Sequence, residues 1–283
     1  MKPIEAEQFT RSLTHHGEGP VWLGRHGLAV MDMLAGDVVL VDNNGAETRR
    51  EHLGEVVAAL RPRHDGGFVA GLERGFCLLD DCFAVTRTVT CWTDPSVRMN
   101  DGACDPLGRF WCGSMAYDLT PGAGALWRLD AEGSAVKVIA DIGCSNGLAW
   151  TRAGARAYYV DSLTGRVDFL ELGPDGRVVD RQPFADAAGE GFPDGIAVDL
   201  ADGVWLALFG SGRLVHFDRT GRRDAEIAVP ARQVTACTFA GPDYSELFIT
   251  TSRFGLGDPE AAAGAVFKAK PDVGGFAPHA FGG

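Results

Sequence analysis

The chain has 283 residues, 46% hydrophobic and 23% charged, with a formal net charge of −12. The balance is that of an ordinary globular protein, and the acidity excludes a nucleic-acid partner, which needs a clustered basic footprint. No apolar run is long enough for a membrane-spanning helix, and "MKPIEAEQFTRSL" lacks the apolar stretch of a signal peptide, so the expectation is a cytoplasmic protein with no membrane partner.

In chain order, "IEAEQFT" alternates polar and apolar residues and reads as a strand. Six segments follow, each an apolar strand, a glycine turn, an aromatic-rich strand, a second turn and a further strand. The first is "GEGPVWLGRHGLAVMDMLAGDVVLVDNNG" and the second, weaker, is "EVVAALRPRHDGGFVAGLERGFCLLDD". The third is "NDGACDPLGRFWCGSM" continuing into "GALWRLDAEG", and the fourth "SNGLAWTRAGARAYYVDSLTGRVDFLELGPDG". "PDGIAVDLADGVWLALFGSGRLVHFDRTG" is the fifth, and "VTACTFAGPDYSELFITTSR", leading to "GAVFKAK", the weaker sixth. Their starts fall near residues 17, 57, 100, 145, 194 and 236. A period of about 40 to 48 residues with several strands per unit is the signature of a propeller. The predicted fold is all-β: one domain, residues 1–283, forming a six-bladed β-propeller with four antiparallel strands per blade. "IEAEQFT" is placed in the last blade, closing the ring.

Seven cysteines, an odd number with no Cys-x-x-Cys, argue against a disulfide framework or a zinc-thiolate site. Trp22, Trp111, Trp127, Trp150 and Trp205 read as core packing. No Ser-His-Asp arrangement is visible, which disfavours covalent catalysis.

The first strand of a propeller blade lines the central channel, so equivalent positions converge. Counting back from the aromatic strand gives Glu18, the pair Asn100 and Asp101, Asn146 and Asp194; the second and sixth repeats give apolar residues near Val57 and Ala236. Taken singly, Asn-Gly and Asp-Gly are turn dipeptides. Four repeats with oxygen-bearing side chains in one register point instead to a shared site, where two carboxylates would repel without a cation. Glu18, Asn146 and Asp194 are therefore the candidate metal ligands. An all-oxygen set suits a hard divalent ion, Ca²⁺ first, with Zn²⁺, Mn²⁺, Mg²⁺ or Fe²⁺ as alternatives. His15 and His16 read as rim or loop residues.

The motifs "GEGPVW", "RMNDGACDPLGRFWCGSM", "SNGLAW" with "YYVDS", "PDGIAVD" and "FAGPDYSELFITTSR" lie in order over nearly the whole chain. Together they resemble the family of sugar lactonases that includes gluconolactonase and regucalcin (senescence marker protein 30). The resemblance implies a propeller with one axial divalent metal on Glu18, Asn146 and Asp194, hydrolysing aldonolactones. It implies substrate contacts from Arg98 and Asn100 and, after "GSMA", from Tyr117 or Asp118, where the family carries a longer acidic residue. Asp194 becomes both ligand and general base, with Asp101 or a hydroxide made at the ion as rivals. The expected partner is a small sugar lactone, and the expected state a monomer or weak homodimer. A phosphotriesterase-type hydrolase and a calcium-binding scaffold without turnover are the alternatives.

Overall fold

The computed structural model describes residues 4–154 and 156–283. Six antiparallel sheets form a ring, a six-bladed β-propeller with almost no helix. The innermost strands of the blades are Gly17–Trp22, Val57–Pro62, Val97–Cys104, Ser145–Trp150, Phe192–Val198 and Val234–Ala240, in blade order. Each sheet then runs outward in sequence order, ending in strands such as Glu47–His52, whose exposure alternates along the strand. Inner strands are buried on both faces because the next blade packs on them, as the near-continuous burial of Gly17–Trp22 and Phe192–Val198 illustrates.

The apolar core is distributed between blades. Met31 and Leu40 of blade one meet Leu60 and Leu79 of blade two. Trp111 and Leu126 of blade three meet Trp150 and Tyr159 of blade four. A comparable cluster fills each of the other four junctions, including that between blades six and one, where Phe248 and Val266 meet Leu28 and Val41.

The ring is closed by the N-terminal segment, as the alternation of "IEAEQFT" predicts. Glu7–Gln8 pairs antiparallel with Phe267–Lys268 and is the outermost strand of blade six. Ile4–Glu5 goes elsewhere, adding a fifth strand, parallel, to blade five beside Ile227–Ala228. The C-terminal tail returns across the ring: Phe281 is fully buried between blades two and three and its N–H donates to Pro62 O at 2.9 Å.

One irregularity recurs in all six blades. The pairing of each innermost strand with the second strand slips, between Glu18 and Val21, Val57 and Ala59, Met99 and Gly102, Ser145 and Leu148, Pro193 and Ile196, and Val234 and Ala236. A bulge re-aims the side chains it contains, and these six lie at one level of the channel. The Asp101-Gly102, Asn146-Gly147 and Asp194-Gly195 pairs are thus bulges inside strands, not turns.

Candidate metal centre and active site

Four blades place oxygen-bearing side chains in or beside those bulges: Glu18, then Asn100 and Asp101, then Asn146, then Asp194. All five are buried, with exposures of 4 to 9%. The glycine after each candidate ligand is dictated by crowding at the axis: a Cβ on Gly147 would stand 2.7 Å from Asp194 O, on the neighbouring inner strand. Gly19 adds a backbone requirement, with φ +49°.

The loop before an inner strand is tied down by an aspartate at the end of the blade's second strand. Asp32 accepts from the N–H groups of His15 and His16 at 2.9–3.0 Å. Asp161 does the same for Gly143 and Cys144 at 3.1 and 2.9 Å. These aspartates stand in "VMDM" and "YYVDS", and their matching places in two repeats were the signal for this supporting role.

Asn146 is held by its amide nitrogen, which donates to Ser162 Oγ at 2.8 Å; Ser162 Oγ donates in turn to Pro193 O at 2.6 Å, beside Asp194. Its Oδ1 accepts from Asn100 Nδ2 at 3.0 Å. Asn100 also donates to Ser145 O at 2.8 Å, and its Oδ1 accepts from Arg98 Nη1 at 2.6 Å. Arg98, Asn100 and Asn146 therefore form one connected chain. Arg98 is further fixed by Met99 O at 3.0 Å, with Tyr117's ring 5.6 Å from its Cζ.

Asp194 Oδ1 is buried without a hydrogen-bond partner among the described residues. Burial, then the charges of Glu18 and Asp101, push the Asp194 carboxyl well above the usual carboxylate range. Burial and the Asp101 charge raise Glu18 to about 8. Asp101 is raised by burial, with Arg61 and the Gly102 N–H, 2.6 Å from Oδ1, working the other way. Three carboxylates in a dry site with raised pKa values, one of them with an unpaired oxygen, are donor chemistry that a divalent cation would suit. Among the described residues no three His, Cys, Asp or Glu side chains group closely enough to hold a metal alone. The Asn146 amide stands in the same register as the two carboxylates and is the candidate third donor.

His16 departs from its sequence reading as a rim residue. It is buried, its Nδ1 lies 2.7 Å from Ser252 Oγ, and Nε2 is 3.9 Å from Glu18 Oε1. Burial and the nearby Arg98 lower its pKa to about 3, so the ring is neutral beside the carboxylates. His15 is exposed, as a rim residue should be. Tyr117 lies at the rim, 46% exposed, its hydroxyl donating to Glu73 Oε1 at 2.8 Å. Asp118 is exposed and its Oδ1 accepts from Thr120 N and Oγ1 at 3.0 and 2.7 Å, so its hydrogen bonds stay outside the Arg98–Asn100 chain. All seven cysteines are free, and burial raises Cys144 to about 12, which leaves it an unreactive thiol.

Residues 16–253 match the profile of the SMP-30/Gluconolactonase/LRE-like region. The chain belongs to this family. It is 31% identical to regucalcin of Bos taurus, covering 95% of each chain. It is 32% identical to YvrE of Bacillus subtilis, named as a proposed sugar lactone lactonase, over 94% of this chain and 95% of that one. Among solved structures, regucalcin from Agrobacterium tumefaciens, described as a calcium-binding protein, superposes with a TM-score of 0.92 at 26% identity, covering 99% and 98% of the two chains.

Proposed function

We propose that this family member is a metal-dependent hydrolase that opens a sugar lactone to its aldonic acid. The observation that carries the reading is the convergence of Glu18, Asn146 and Asp194 from three bulged strands, with Asp194 Oδ1 left without a partner among the described residues. Those three would hold one divalent cation, Ca²⁺ first and Zn²⁺, Mn²⁺, Mg²⁺ or Fe²⁺ as alternatives. The cation supplies Lewis-acid polarisation of the lactone carbonyl when bound.

The remaining work falls to the protein's own groups. Asp194 is the general base, taking a proton from the water that attacks the carbonyl carbon; Asp101, also raised, is the rival for that proton. Arg98 and Asn100, already locked to each other, orient the sugar's hydroxyls or ring oxygen. Tyr117 lies over the Arg98 guanidinium and forms a stacking wall, and Asp118, tied to Thr120 through Oδ1, offers its exposed carboxylate to substrate at the rim. The polar Arg98–Asn100–Asn146 chain favours a polyhydroxylated substrate over an apolar phosphotriester.

The test is proton release from a panel of aldonolactones by chelator-stripped protein with each cation restored in turn, beside Asp194→Asn. Cation-restored turnover, reduced at least about 10²-fold in the variant, supports the reading. Cation binding with no turnover above the spontaneous rate on any lactone would overturn it and favour a binding protein.

A further inference from the structure

The inner strands line a second concavity where they end, at the opposite end of the channel from Glu18 and Asp194. All six contribute to its wall, and Phe276, Pro278 and His279 of the C-terminal tail close one side around a volume of about 100 Å³. Among the described residues no carboxylate lines it. Three nitrogen-bearing side chains do. Arg61 makes one hydrogen bond, from Nη1 to Leu60 O at 2.7 Å, and no ion pair among the described residues; burial works against its charge, and Asp101 is the leading offset. Trp150 is 3% exposed, yet its Nε1–H has no acceptor among the described residues. His279 Nε2 is likewise buried and without a partner among the described residues. Native structures rarely leave buried donors unmatched, and here the unmatched groups border one space.

We propose that this lower cavity binds a small monocarboxylate, its head on Arg61 and the Trp150 Nε1–H and its short apolar body against Ile196, Phe239 and Phe276. The planar guanidinium fork matches a carboxylate. A single cation among apolar walls suits a singly charged amphipathic anion better than phosphate. A cavity of about 150 Å³ admits benzene, so this one takes an acid of about two to four carbons. His279 completes the head-group site with a donor or acceptor on Nε2. The proposal does not depend on the lactonase reading, because the site lies away from the candidate metal ligands.

The experiment is titration of the full chain with propionate at constant ionic strength, followed by calorimetry and tryptophan fluorescence. A crystal structure grown in propionate accompanies it. Expected are saturable binding with a Kd in the millimolar range or below, a loss of at least about tenfold in Arg61→Gln, a smaller loss in Trp150→Phe, and unchanged binding in Asp194→Asn. Absence of saturable binding, equal affinity in Arg61→Gln, loss in Asp194→Asn, tighter binding of inorganic phosphate than of propionate, or water alone in the cavity would each overturn it. The wild-type titration and crystal decide the matter should Arg61→Gln fail to fold.

Discussion

Glu18 shows what burial does to a carboxylate when its neighbours are also acids. Its ionised form lacks water and faces Asp101 and Asp194, with Arg98 the nearby cation that favours it, so its pKa rises to about 8. Repulsion of this kind weakens the metal-free fold, and a cation that binds only the folded state offsets it by mass action. Replacing Glu18 by Gln removes the cost of burying or protonating that carboxyl, with little change of volume. In chelator-treated protein Glu18→Gln should therefore melt higher than the wild type by a few degrees, at about 2–4 °C per kcal/mol. The same variant should lose the rise in Tm that Ca²⁺ or its competitors produce in the wild type. Thermal melts with and without cation measure both effects, and a variant that still gains Tm with cation would remove Glu18 from the ligand set. The shared register of the candidates Glu18, Asn100, Asp101, Asn146 and Asp194 was legible because repeats expose it. His16 was not, because its partner Ser252 is 236 positions away and meets it only through the closure of the ring.

The bulged inner strand is the element that makes the site, and its glycines are its weak points. In Gly147→Ala the new Cβ would press on Asp194 O, at 2.7 Å, and on Ile196 Cγ1, at 2.9 Å, from the strand that carries the candidate base. Overpacking of this kind costs about 1–3 kcal/mol, and the displaced strand should also lower cation affinity; denaturant melts and calorimetric cation titration read the two separately. Sequence statistics make Asn-Gly a turn, and only a neighbouring inner strand at van der Waals distance makes it a bulge, so the repeat was readable while the local geometry was not. Farther out in blade five, His216 bridges two acids, with Nε2 3.0 Å from Asp199 and Nδ1 2.5 Å from Asp224. Burial works to lower its pKa, but the hydrogen bonds and charges of the two aspartates outweigh it and the pKa is raised above 6.5. Asp199 is pushed up by burial yet drawn below 3.8 on balance by His216 and the Gly203 and Ala201 N–H groups. A raised base gives its full stabilisation below about pH 6.5 and loses it as pH climbs through the raised value. The lowered acid stabilises above about pH 3.8 and loses that as pH falls through its own lowered value. The stability gap between wild type and His216→Gln, from denaturant melts, should therefore be widest near pH 5–6 and narrow steadily on the alkaline side. A gap that widens with pH would contradict the ion-pair account.

A propeller has no central core to hold it together; each blade is stabilised by its two neighbours, and the ring depends on where it is closed. Here the chain closes it with its first described residues. Glu7 and Gln8 complete blade six against Lys268 and Phe267, Ile4 and Glu5 extend blade five, and Thr10 Oγ1 accepts from Val266 N at 2.9 Å. Blade six is thus built from both ends of the sequence, and the period-two pattern of "IEAEQFT" announced that a strand was available for it. The parallel pairing onto blade five and the crossing of the tail by way of Phe281 left no such pattern, since two paired residues and one buried aromatic are too short to carry a period. We propose that residues 1–283 form a single domain, which requires that loosening one seam be felt around the whole ring. Removing residues 1–8 deletes several ladder hydrogen bonds at about 1 kcal/mol each and bares the edge of Val266–Ala269. The stability lost should be about 3 kcal/mol, a fall in Tm of roughly 6–12 °C by the size scaling, together with a tendency to associate through the open edge. Scanning calorimetry should show one transition in the full chain and one, displaced downward, in the shortened chain. Two resolved transitions in either would mean that blades five and six melt as a unit of their own and that the seam does not couple them to the rest.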